Sequence, residues 1–229
     1  MSVPLVDVGR AETRFRAGDV AGNGTSICAT WVCVNHQAVI RSAVMSDSRL
    51  WKTLDRRVEL TARGPIREVA IETVRLPDGQ VIDDYYTIRL TDYALIYVEM
   101  ADGSIPVLRQ YKHGVGRVCL AFPGGALEEG ESPLDAARRE LIEELGCEAD
   151  SLIGIGSFVT NTNQRCNMAH LFHASGCHRV TDATSPDMER PDVLMLREEE
   201  LLRPDTIDQF GGASHVALLA LVTNPRIRR

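Results

Sequence analysis

A chain of 229 residues with 44% apolar and 25% charged residues has the material for one soluble domain with a full core, or for one domain with an appendage. Its net charge of −7 argues against a general nucleic-acid or anionic-membrane surface, and its longest apolar run, Val216 to Val222, is too short to span a bilayer. The charge does not exclude a small phosphorylated substrate, because a bound divalent ion reverses the local sign. The six cysteines show neither a C-x-x-C pair nor zinc-type spacing, and Cys119 and Cys147 sit among apolar residues as buried thiols. With no basic segment followed by an apolar run at the N-terminus, the expected location is a reducing cytoplasm.

Residues 1–44 carry no lysine, little periodicity and the flexible run from Ala21 to Ser26. They read as an atypical extension, either disordered or not natively translated, the latter if Met45 is the natural start. Residues 45–90 read as a strand region. Trp51 to Thr61, Arg67 to Leu76 and Val81 to Arg89 are rich in Val, Ile, Tyr and Thr. Pro77-Asp78-Gly79 between the last two is a turn, since Pro presets φ and Gly admits positive φ. A small antiparallel sheet is expected there. Tyr93 to Glu99 and Ile105 to Tyr111 read as a second hairpin around Asp102-Gly103, and Val118 to Phe122 as a strand ended by Pro123-Gly124-Gly125.

Ser132 to Leu145 has the pattern of a helix. Leu134, Ala137, Leu141 and Leu145 make one apolar stripe, Ser132 is placed to cap it, Pro133 fits the first position and Gly146 the stop. At ~100° per residue, Glu140, Glu143 and Glu144 share a face outside that stripe. Three carboxylates so close repel one another unless a cation or an arginine neutralises them, and hard oxygen ligands on a rigid element suit Mg²⁺ or Mn²⁺. Farther on, Ser151 to Val159 and Met168 to Ala174 read as strands around the polar loop 160–167. A second polar loop spans Arg179 to Pro191, followed by a strand at Val193 to Leu196 and the start of a helix at Glu198 to Leu202. Ser214 to Val222 reads as a final helix capped by Ser214, and residues 225–229 as a basic tail.

From Gly125 to Cys147 the wider spacing is Gly125, Glu131, Arg139-Glu140-Leu141, Glu143-Glu144, Gly146, Cys147. This resembles the Nudix box, G-x5-E-x7-R-E-U-x-E-E-x-G-U, with U a bulky aliphatic; Cys147 at the last U is its one departure. Upstream, Arg109-Gln110-Tyr111-Lys112 and Phe122-Pro123-Gly124-Gly125 are similar to the RQYR and E-x-P-x-G stretches of ADP-ribose and ADP-sugar pyrophosphatases. The resemblance implies an α/β fold, a Nudix-type α/β/α sandwich on a mixed sheet over residues 91–224, preceded by the small N-terminal sheet. It also implies Mg²⁺- or Mn²⁺-dependent hydrolysis of the pyrophosphate of a nucleoside diphosphate linked to another group, with ADP-ribose or an ADP-sugar foremost. No nucleic-acid or membrane partner is expected. A homodimer is implied through the N-terminal strands, which in that branch also supply part of the substrate pocket.

Residue by residue, Glu140, Glu143 and Glu144 are the candidate metal ligands, joined by the main-chain carbonyl of Gly124 through the resemblance. Arg139 is expected to pair with a box glutamate, and Glu131 to orient the loop. Arg109, Lys112 and Arg165 are the candidates for phosphate or ribose contact. The branch pattern is broken in three places: Lys112 stands for Arg, Ala121 for Glu, and the loop 160–167 has no acid. The general base therefore stays open among Glu143, one of His170 and His173, Asp187 and Glu189, since histidines three apart on a strand face opposite ways. Two rival functions also remain: a non-catalytic nucleotide-sugar sensor, and a hydrolase of nucleoside triphosphates, dinucleoside polyphosphates or coenzyme A.

Overall fold

Alternating β-branched and aromatic residues build the first three strands, β1 (Lys52–Thr61), β2 (Ile66–Arg75) and β3 (Val81–Leu90), into one antiparallel sheet in chain order. The computed structural model describes residues 49–62, 64–184, 191–224 and 226. The extension at residues 1–44, the base candidates Asp187 and Glu189, and all of the tail except Arg226 lie outside the described residues. The turn at Pro77-Asp78-Gly79 forms as expected: Gly79 N–H donates to Leu76 O at 3.0 Å, and Asp78 Oδ1 accepts from Gln80 N–H.

Eleven further elements follow: β4 (Tyr93–Met100), β5 (Ile105–Lys112), β6 (Arg117–Ala121), α1 (Pro133–Leu145), β7 (Cys147–Glu148), β8 (Ser151–Val159), β9 (Met168–Arg179), β10 (Asp192–Leu196), α2 (Glu198–Leu201), α3 (Pro204–Ile207) and α4 (Ala213–Thr223). The long strand β9 carries the central sheet. β4 runs parallel to it on one side, while β8 and β7 pair antiparallel with it. A second sheet has the order β10-β5-β6.

Two cores lie on opposite faces of the β4–β9 pair. On one, Ala94, Ile96, Val98, Phe172 and Ala174 pack with Ala137, Leu141 and Leu145 of α1. On the other, Leu95, Tyr97, Ala169 and Leu171 pack with Leu218, Leu219 and Val222 of α4. Residues that alternate along a strand thus feed different helices, which is the expected sandwich on a mixed sheet. Among the described residues no helix is long and apolar enough to cross a membrane.

Several local expectations change. The Asp102-Gly103 turn closes, with Met100 N–H on Ser104 O, but β4 and β5 join different sheets instead of continuing as a hairpin. The reason is burial: Ala94 to Val98 are covered on both faces, which suits an interior strand beside β9. β9 runs five residues past its expected end at Ala174, because Cys177 is buried and β7 pairs with His178 and Arg179. The last helix begins at Ala213 with Gly212 at its cap, and the Ser214 hydroxyl accepts from Tyr93 Oη at 2.9 Å.

Candidate active site

The helix α1 forms as its sequence dictates. Ser132 Oγ accepts from Asp135 N–H, Pro133 opens the helix, and Gly146 closes it in the left-handed conformation with its N–H on Ile142 O. Its apolar stripe faces the sheet, which turns the charged side toward the segment 123–126. That segment is laid along the free edge of β4: Ala94 N–H donates to Gly125 O and Ile96 N–H to Pro123 O, each at 2.9 Å.

Two glycines let the segment pass. At Gly124, where φ is +145°, a Cβ would lie 2.1 Å from Ala94 O. At Gly125 it would lie 2.2 Å from Glu140 Oε1. The backbone is thus threaded between a strand and a carboxylate with no space for a side chain.

Arg139 organises the acids. Nε and Nη2 hold both oxygens of Glu131 at 2.9 and 3.0 Å, Nη1 holds Glu140 at 2.7 Å and Glu143 at 3.0 Å, and Nη2 also donates to Ala126 O at 3.0 Å. All five guanidinium N–H donors are used. Glu131 also accepts from Glu128 N–H, so it ties the loop to the helix. The hydrogen bond from Arg139 is the main reason its carboxyl is held below the ordinary range, and the same pairing raises the guanidinium. Glu144 Oε2 accepts from Gly124 N–H at 2.7 Å. Glu140 and Glu144 are buried, and Glu143 is about one-third exposed.

Three carboxylates on one guanidinium, with Glu144 one turn along from Glu140, leave a surplus of negative charge, and all their ligand atoms are hard oxygens. Such a set fits Mg²⁺ or Mn²⁺ in type, and the glycine-only passage at residues 124–125 sets Glu140 against Gly125 and Glu144 against the Gly124 N–H. Among the described residues, however, no three acidic, histidine or cysteine side chains converge as a ready cluster of ligands. Glu140 and Glu143 turn to Arg139 instead, the neutralising partner that repelling carboxylates need.

The three phosphate candidates line different surroundings. Arg165 stands at the rim of a cavity of about 540 Å³ between the N-terminal sheet and the β8–β9 loop. Arg56, Arg67 and Arg89 line the same cavity together with Glu68 and Glu72, both paired with Arg56; strand alternation alone did not distinguish these arginines from ordinary surface charges. The loop is held there by hydrogen bonds from Ile88 N–H to Gln164 O and from Leu90 N–H to Cys166 O. Arg165 adopts φ +50°, which side chains rarely take, and its guanidinium has no hydrogen bond or ion pair among the described residues. Asp92 also lines the cavity, and its carbonyl accepts from Leu127 N–H, so the cavity borders the loop that leads into α1. Arg109 is exposed and lies 3.7 Å from Asp192 on β10.

Lys112 lines a second cavity, of about 410 Å³, with His215. His215 Nδ1 accepts from Phe122 N–H at 3.0 Å, so the ring is neutral, and Phe210 stacks on it. Burial, helped by Lys112, pushes its pKa down to about 4. Below the ordinary value of 6.5 the unfolded chain takes up a proton that the folded one refuses until about pH 4. This stabilisation is therefore complete above pH 6.5 and is lost as pH falls toward 4, by up to about 3 kcal/mol. Urea midpoints for wild type and His215→Asn between pH 7.5 and 4.5 check it. The variant's slope should flatten in that window; an unchanged slope assigns the acid loss elsewhere.

The two strand histidines face opposite ways, as expected. His173 pairs with Tyr97 across the register, on the α4 side, 3.3 Å from Glu99 Oε2. His170 shares the α1 side with Phe172 and Ala174. Its Nδ1 is 2.8 Å from Ser157 Oγ and its Nε2 is 4.0 Å from Asp92 Oδ2.

The family model for the NUDIX domain matches residues 89–213, more than half of the chain. The chain belongs to the Nudix hydrolase family. Among curated relatives it is 46% identical over 122 residues to an ADP-sugar pyrophosphatase of Mus musculus, covering 51% of this chain and 55% of that one. It is 29% identical over 111 residues to an ADP-ribose pyrophosphatase of Bacillus subtilis, covering 48% and 60%. A third relative, a methanol dehydrogenase activator of Bacillus methanolicus, is 26% identical over 148 residues, covering 64% and 80%. A solved ADP compounds hydrolase shares the fold, with a TM-score of 0.63 at 22% identity over 75% of this chain and 91% of that one. Nudix hydrolases are generally dependent on divalent cations. Cys147, the departure at the end of the Nudix box, is buried in the α1 core beside Leu145 and Cys177, and so fills the packing role of an aliphatic residue.

Proposed function

We propose that this Nudix hydrolase cleaves the pyrophosphate bond of a nucleoside diphosphate joined to another group, ADP-ribose or an ADP-sugar, with Mg²⁺ or Mn²⁺. The observation that carries the reading is the adjacency of two features. One is the carboxylate cluster gathered by Arg139 beside Gly124; the other is the cavity that borders its loop through the Asp92–Leu127 contact, lined by four arginines, of which Arg56 is paired with Glu68 and Glu72 and Arg165 is not ion-paired among the described residues. The named activities of the mouse and Bacillus subtilis relatives support the same substrate class.

Glu140, Glu143, Glu144 and the Gly124 carbonyl would hold the cation, which when bound neutralises charge gathering on the phosphate oxygens. Glu131 and Arg139 are positioning residues: they set the rotamers of Glu140 and Glu143 and brace the loop. Arg165 would meet a phosphate or ribose from the arginine cavity, and Lys112 and Arg109 from the β5 end. Lys112 offers a point charge where Arg would grip two oxygens.

A homodimer belongs to the same proposal. It is supported by the apolar side chains that the N-terminal sheet exposes, including Trp51, Val58, Leu60, Val81 and Tyr86. We assign the cytoplasm as its location on the free state of the four described cysteines.

The test is a panel of ADP-ribose, ADP-glucose, GDP-mannose, NADH and diadenosine polyphosphates, with and without Mg²⁺. The expected result is release of AMP from ADP-ribose or ADP-glucose, abolished by EDTA. Binding of a panel member without metal-dependent turnover on any of them overturns the reading in favour of a sensor.

A further inference from the structure

We propose that the cavity of about 410 Å³ beside Lys112 is a phosphate-binding site, in which the Lys112 ammonium and the Nε2–H of His215 hold the oxygens of one phosphoryl group. The choice of a phosphoryl group over another anion rests on the pyrophosphatase reading; the site itself does not. Its volume is that of a small-molecule pocket. The lining combines Lys112, His113 and His215 with Gly114, Gly211 and Gly212, and among the described residues no aspartate or glutamate lines it. In a chain of net charge −7, Lys112 thus sets the sign of this pocket, whereas the arginine cavity has Glu68, Glu72 and Asp92 in its walls.

The tautomer of His215 is fixed by its contact. A backbone N–H can only donate, so Nδ1, which accepts from Phe122 N–H, carries no proton. The one proton of the neutral ring is therefore on Nε2. Nε2–H has no acceptor among the described residues, yet it is not sealed from solvent. It is a donor open to the cavity that the residue lines. Phe210 stacks on the ring and holds its orientation, and Lys112 lies near enough for its charge to help keep the ring neutral at pH 7.

The two groups divide the recognition. The ammonium supplies the charge that a phosphoryl group needs, and the imidazole supplies a directed donor without a second buried charge. Gly212, the N-cap of α4, brings no capping side chain and lines the same cavity, so the positive end of an eleven-residue helix adds to the attraction. Gly211 permits the close approach of this segment to β6, since a Cβ there would lie 2.6 Å from Cys119 Sγ. Ala121 lines the cavity, and Gly124 is three residues on, a reach of at most about 10 Å. The same phosphate chemistry thus has two sources: the sugar-phosphate half of a substrate, or a separate phosphorylated effector.

The experiment is calorimetry on the full chain at pH 7.5, at saturating Mg²⁺ and in EDTA, with inorganic phosphate and ribose 5-phosphate as probes and ribose as the control. Binding retained in EDTA is not bridged by a cation at the carboxylates. Wild type is compared with Lys112→Met and His215→Asn, because asparagine still accepts from Phe122 N–H but lacks the Nε2 donor. Both phosphates should bind the wild type in EDTA and weaken on the order of tenfold in each variant, with Lys112→Arg restoring most of the affinity. Lys112 is only partly buried, so its variant decides the matter if His215→Asn fails to fold. Inhibition of ADP-ribose hydrolysis by ribose 5-phosphate separates the two sources. Competition with substrate assigns the site to the sugar-phosphate half, and a change in kcat alone assigns it to an effector. No binding to the wild type in EDTA, equal affinity in wild type and variants, or ribose binding as well as ribose 5-phosphate overturns the proposal. A wild type inert on the whole panel removes the pyrophosphatase reading, and the calorimetry still decides the cavity.

Discussion

Glu144→Gln should lower turnover about a thousandfold, with the fold intact. The substitution keeps an oxygen for Gly124 N–H, at 2.7 Å in the wild type, so the threaded segment retains its anchor while the negative charge is lost. Glu143→Gln should act on the same scale, since glutamine still accepts from Arg139. Glu143 is the more exposed of the two, which makes its fold-neutrality the easier to establish. The measurements are kcat at saturating Mg²⁺ and Mg²⁺ affinity by calorimetry, with thermal unfolding as the control. Both variants should bind Mg²⁺ more weakly. Unchanged turnover in both would sink the assignment of these carboxylates to the metal.

Arg139→Ala should be the most destabilising single change at the site, at about 2–4 kcal/mol. It removes five hydrogen bonds at once and leaves Glu131, Glu140 and Glu143 without the cation that they share. Arg139→Lys should recover only part of this, because one ammonium cannot reproduce a fork reaching five acceptors.

The pH dependence discriminates this mechanism from simple loss of packing. In the wild type the Glu131 carboxyl is held low by Arg139, so its stabilisation is present above its ordinary value of 4.5 and is lost as pH falls through the folded value. In Arg139→Ala the uncompensated carboxylates repel, and acid relieves them. The stability gap between wild type and variant should therefore narrow between pH 7 and pH 4, read as urea midpoints. A gap independent of pH would assign the loss to packing.

Much of the site was legible from spacing, because its key residues lie within one loop and one helix. Ser132, Pro133 and Gly146 set the ends of α1, and the 3.6-residue period puts Glu140, Glu143 and Glu144 together outside the leucine stripe. The expected pairing of Arg139 with a box glutamate is present, but its extent was not legible. That one guanidinium would hold three carboxylates and a carbonyl depends on where the segment 125–131 folds back. The arginine cavity left no trace in the linear pattern. Arg56, Arg67 and Arg89 read as outward charges on strands, and they meet Arg165 only because the β8–β9 loop is bonded to the edge of β3.

The sequence by itself determined the local chemistry: the helix with its caps, the acid spacing, the glycines at 124 and 125, and the absence of an acid from residues 160–167. These are set by φ/ψ preferences and side-chain periodicity within a few residues, so neighbours along the chain suffice to read them. Only the tertiary structure decided which strands pair, that β4 joins β9 instead of β5, and that His170 faces α1 while His173 faces α4. A strand's alternation makes two faces but does not say which helix covers each. That choice depends on burial summed over residues about 75 apart in the chain, such as Ala94 and His170, and no local signal carries it.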